Sequence, residues 1–151
     1  MKRIGHKGAY TIEHGNTVAS FHAARELSVD MIEFDIMRFP YEDRQNGKLV
    51  FAHDPSDAAE REDATLLTME QGLDLLASPE FADFGLDVDM KHRGFELQVI
   101  DALRERGLLE RTMITTMHAE SQKGPRAPKH TYALADYGLT DEQVKERFAG
   151  L

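Results

Sequence analysis

Two short stretches, "MIEFDIM" at 31–37 and "LDVDMK" at 86–91, constrain what this chain can fold into more than any other feature. Side chains alternate across a strand, so every second residue shares a face. Read as a strand, the first stretch puts Glu33 and Asp35 on one face with Met31 and Met37, and Ile32, Phe34 and Ile36 on the other. The second separates Asp87, Asp89 and Lys91 from Leu86, Val88 and Met90. Each strand needs an apolar layer on one side and a setting for acids on the other. A barrel meets both needs, with helices outside and the acids lining the interior.

The segments around these strands carry the helices. Short apolar runs alternate with amphipathic ones, the rhythm of an α/β fold with a mainly parallel sheet. A first strand is expected over Lys2 to His6, then a helix from Thr17 to Val29 with Asn16 as its N-cap. After the strand Met31 to Arg38, "LVFAH" (Leu49 to His53) reads as another strand. The roughly ten residues between those two are too few for a helical crossover, so a hairpin-like excursion through Asn46-Gly47 is predicted. "DPSDAAERED" (54–63) reads as a solvated acidic loop. Thr68 and Gln71 form a capping box for a helix through Leu76, ended by Pro79. A helix from Gly94 to Arg106 with Gly107 as its stop, and a strand "TMITTM" (112–117), complete the pattern. Residues 120–151 differ: a basic Pro/Gly linker leads to one capped helix over 139–148, so the chain divides into 1–119 and 120–151.

With 151 residues the length suits about one domain. A net charge of −9 argues against a nucleic-acid backbone as partner. No run approaches the roughly 18 apolar residues of a membrane span, and no secretion signal opens the chain, so a cytoplasmic protein is expected. There are no cysteines, which excludes disulfides and thiolate metal sites.

Carboxylates crowded on neighbouring strands resist burial unless they are neutralised or share a cation, and an all-oxygen set suits a hard ion such as Mg²⁺ or Ca²⁺. His6 and His53 fall at strand ends, where parallel α/β sheets place their chemistry. Two imidazoles that give and take protons beside such a metal suit hydrolysis of a phosphate ester. Lys7 and Lys91 add positive charge for an anionic substrate. His14, His22, His92, His118 and His130 read as non-catalytic.

In order and spacing, "IGHKGA", "HGNT", "IEFDI", "AHDP" and "LDVDMK" resemble the motifs of the glycerophosphodiester phosphodiesterase family, over about residues 3–118. The resemblance implies a TIM barrel, a divalent metal, and hydrolysis of glycerophosphodiesters to an alcohol and glycerol 3-phosphate. Carried over residue by residue, it makes His6 and His53 the acid/base pair, and Glu33, Asp35 and Asp89 the metal ligands. It also makes Lys7, Asn16 and Lys91 the polar contacts near the phosphate. Lys7 replaces the usual arginine, Gly15 the glutamate of many members, and Asp89 the usual glutamate. A TIM barrel typically takes about 250 residues, so an incomplete barrel is expected, about the first half of a (β/α)₈ fold. A catalytically impaired barrel acting as a binding or self-assembly module, with homo-oligomers formed through open strand edges, is the alternative.

Overall fold

The computed structural model describes residues 3–43 and 45–116; the linker and helix expected over 120–151 lie outside the described residues. Four parallel strands, β1 (Ile4–Gly5), β2 (Met31–Phe39), β4 (Gly85–Met90) and β5 (Thr112–Thr116), lie side by side in chain order. Each new parallel strand therefore joins the same edge. Successive addition of this kind is the topology of a (β/α)₈ barrel, whereas a doubly wound sheet reverses direction. Among the described residues four parallel strands of a (β/α)₈ barrel's eight are present, and they make the expected incomplete barrel.

Three crossovers carry helices: α1 (Val18–Glu26) after β1, α2 (Pro55–Arg61) and α3 (Met69–Leu76) between β2 and β4, and α4 (Glu96–Glu105) before β5. The expected hairpin is present, with β3 (Lys48–Val50) antiparallel to the end of β2, Met37 facing Val50 and Phe39 facing Lys48. β3 is shorter than the sequence reading and ends before His53.

The alternation in β2 and β4 divides two environments. Ile32, Phe34, Ile36, Leu86 and Val88 are fully buried in one core cluster with Phe21 of α1, Leu73 and Leu76 of α3, and Leu103 of α4. Phe51 stacks on Phe34 at 4.6 Å between ring centroids, and Phe21 meets both rings edge-on. Burying one such side chain stabilises by about 1.5–3 kcal/mol, so this layer fixes which way β2 and β4 face. The acids have no freedom to turn into it.

Two local expectations are corrected. Thr17, not Asn16, caps α1: its hydroxyl accepts from the Ser20 N–H and the Ser20 hydroxyl accepts from the Thr17 N–H. Asn16 is in the left-handed region with φ 60° and turns its amide inward, which removes it from the capping position. The acidic stretch 54–63 is largely the helix α2, because Asp54 caps the Asp57 N–H and Pro55 occupies the first turn. The Thr68–Gln71 capping box opens α3 as predicted, and Gly107, at φ 66°, ends the α4 region.

Candidate metal and phosphate site

Parallel register sets Asp35 of β2 against Asp89 of β4, and Glu33 against Asp87. Glu33 and Asp89 are 8% exposed and Asp35 is fully buried, yet one carboxylate oxygen from each lies within 4.8 Å of the others. Lys91, at the end of β4, reaches back to place Nζ 2.7 Å from Asp35 Oδ1 and 2.6 Å from Asp89 Oδ2. Burial alone would lower the Lys91 pKa, but the two carboxylates overcome it and raise it. Burial and the Asp35 charge push the Glu33 carboxyl upward. Asp89 Oδ1 is buried with no hydrogen-bond partner. One ammonium against three carboxylates leaves an excess of negative charge in hard oxygen donors, and a divalent cation of the Mg²⁺ or Ca²⁺ type fits that donor set.

The loop after β1 wraps these acids. The Lys7 N–H donates to Glu33 Oε2 at 2.7 Å, and His6 Nδ1 lies 2.8 Å from the same oxygen. Asn16 grips Asp35 twice: Nδ2 donates to Asp35 Oδ2 at 2.8 Å, and Oδ1 accepts the Asp35 N–H at 3.0 Å. Lys7 and Asn16 both hold left-handed backbone, with φ 51° and 60°, and the bonds to β2 offset that strain. Gly8 is left-handed too, and a Cβ there would lie 2.6 Å from the Ser20 carbonyl oxygen. A side chain at Gly15 would be crowded, since a Cβ would stand 2.7 Å from Lys7 Cβ and 3.3 Å from Tyr10 Cβ. Gly15→Ala should therefore destabilise by about 1–3 kcal/mol through overpacking. Chemical denaturation checks this, and a variant as stable as the parent would mean that Lys7 gives way freely.

His53 approaches from another direction. With Lys7, Tyr10, His14, Ser56 and Asp57 it lines a cavity of about 410 Å³; His6 stays outside that lining, on Glu33. His53 Nδ1 lies 3.1 Å from Asp54 Oδ2, and its backbone N–H donates to Asp57 Oδ2 at 2.9 Å. Asp57 is the hub of this corner. Arg61, 4% exposed, forks onto it through Nε at 2.9 Å and Nη2 at 3.0 Å, and also donates to the Phe51 and Asn16 carbonyls. His14 Nε2 lies 2.8 Å from Asp57 Oδ1. Asp57, Arg61 and His14 were not legible as a unit in sequence, although the Asp57–Arg61 spacing of four residues on one helix face was a usable signal.

Burial alone would raise the Asp57 carboxyl; the Arg61 guanidinium, the His53 N–H and His14 overcome it and hold it at about 2. An unfolded aspartate titrates near 3.9. The depressed folded value means a contribution fully present above about pH 4 and lost as pH falls towards 2. Allowing for partial exposure to solvent, it amounts to about 1–2 kcal/mol. Asp57→Asn should remove that part of the acid limb in a stability–pH profile, and an unchanged limb would rule Asp57 out as its source.

No family model matches the chain, and no curated protein matches it. Solved structures do match in fold. A glycerophosphodiester phosphodiesterase from Parabacteroides distasonis superposes with a TM-score of 0.62 at 21% identity, over 80% of this chain and 58% of that one. One from Agrobacterium tumefaciens gives 0.62 at 18% identity, over 82% and 62%. A phosphodiesterase from Oleispira antarctica, solved with the product sn-glycerol-3-phosphate, gives 0.55 at 20%, over 79% and 58%. This chain thus spans about three fifths of the length of the structures it resembles, and the likeness is one of fold.

Proposed function

We propose that this chain carries the metal-binding and proton-transfer side of a glycerophosphodiester phosphodiesterase, cleaving glycerophosphodiesters to an alcohol and glycerol 3-phosphate. The observation that carries the reading is the cluster of Glu33, Asp35 and Asp89, buried within 4.8 Å of one another, on a sheet whose fold matches such enzymes.

Glu33, Asp35 and Asp89 would hold Mg²⁺ or Ca²⁺, which when bound supplies Lewis-acid polarisation of a phosphate oxygen. Asn16 and Lys91 fix the acids: Asn16 by its paired hydrogen bonds to Asp35, Lys91 by offsetting charge on Asp35 and Asp89. Lys7 faces the cavity and meets the anionic diester there; Lys91 lies outside that lining, on Asp35 and Asp89. With Nδ1 held by Glu33 in one case and Asp54 in the other, His6 and His53 each keep Nε2 for proton transfer. One takes the proton of the attacking hydroxyl or water, and the other gives a proton to the departing alkoxide.

The test is release of glycerol 3-phosphate from glycerophosphodiesters by the purified chain with added Mg²⁺ or Ca²⁺ and with a chelator. Activity that the metal restores and the chelator removes is the expected result. No turnover with either ion would sink the proposal.

A further inference from the structure

We propose that His14 is a substrate-binding residue that accepts a hydrogen bond from a hydroxyl of the glycerol unit while Lys7 holds the adjoining phosphate. This rests on the reading above and adds a contact outside the two proposed catalytic histidines.

Three observations carry it. His14 lines the same cavity as Lys7 and His53, so a ligand held by Lys7 lies within reach of its ring. The ring is oriented: Nε2 lies 2.8 Å from Asp57 Oδ1, and Asp57 is ionised under the Arg61 fork. An ionised carboxylate accepts and does not donate, so Nε2 carries the hydrogen, and in the neutral imidazole the lone pair falls on Nδ1. Among the described residues Nδ1 has no partner, and the side chain is 57% exposed. The anchor is built, because buried Arg61 fixes Asp57, and Asp57 in turn fixes the His53 backbone. A hydroxyl donor for Nδ1 in the same cavity as an anion for Lys7 describes a phosphorylated polyol.

The experiment compares binding of sn-glycerol 3-phosphate with that of propyl phosphate, which keeps the phosphate and carbon chain but has no hydroxyl. Calorimetry on the full chain should show roughly three- to tenfold tighter binding of the hydroxylated ligand, the range of one net hydrogen bond. His14→Ala should abolish that preference and leave propyl phosphate binding unchanged. His14→Phe, which keeps a ring in place but has no nitrogen to accept a hydroxyl, should do the same and serves if the alanine variant fails to fold. A preference retained in either folded variant, no preference in the parent, or no binding of either ligand would overturn the inference. A parent that shows the preference but no diesterase activity would sink the proposed reaction and leave the His14 contact standing. An active parent whose preference survives the substitution would do the reverse.

Discussion

Replacing His53 or His6 with alanine should lower kcat by about 10²- to 10⁴-fold, the range that positioned general acid–base groups contribute. KM should change little, because neither ring carries the charge that binds the diester. The two rings are set up alike: a carboxylate holds Nδ1 of each, Glu33 at 2.8 Å and Asp54 at 3.1 Å, and both side chains are about half exposed, 53% and 45%. In the proposed reaction one proton leaves the nucleophile as another reaches the leaving group, so the pair would act as a unit. The double variant should then be scarcely slower than the worse single one. His22, which pairs with Glu80 at 3.6 Å, is the control, and His22→Ala should leave turnover unchanged. A single variant at His6 or His53 within a few fold of the parent would remove that residue from the reaction.

The legible part of this site was the part written in period two. Alternation alone separated Glu33 and Asp35 from Ile32, Phe34 and Ile36, because strand geometry leaves no other choice once one set must meet a helical layer. It could not supply the register, which depends on how β2 and β4 slide against each other. Yet register decides that Asp35 faces Asp89 and not Asp87. Nor did alternation show that the acid face is itself closed off, with Asp35 fully buried.

Asn16 was misplaced for a different reason. Asparagine favours both helix N-caps and left-handed backbone, for the same short polar side chain. Only the presence of Asp35, nineteen positions on, settles which use applies. The 54–63 stretch was dense in charge and so resembled a solvated loop, although Asp54-Pro55 is also a helix start and Arg61 cancels Asp57 one turn on. His14 looked inert because its partner lies forty-three residues away. Contacts made by closing a loop leave no periodic trace.

Asp35→Ala should destabilise the fold by about 1–3 kcal/mol, the cost of leaving the buried Asn16 amide without its acceptor. The charge change adds little, because Lys91 keeps Asp89 and the loss of one of three carboxylates relieves repulsion on Glu33. Asn16 would lose the acceptor for its amide N–H, one of the two side-chain bonds that tie this left-handed residue to Asp35. Asp35→Asn separates these effects. It keeps the shape and can still accept from Asn16, so its loss should be smaller, while the charge that offsets Lys91 is gone in both variants. Binding should fall in both. Added Mg²⁺ or Ca²⁺ should raise the melting temperature of the parent through ligation by the three carboxylates, and that rise should vanish in either variant. If Asp35→Ala is as stable as the parent and keeps a metal-dependent rise, then Asp35 is neither the acceptor that the Asn16 amide needs nor a ligand. The weight of the site would then have to move to Glu33 and Asp89.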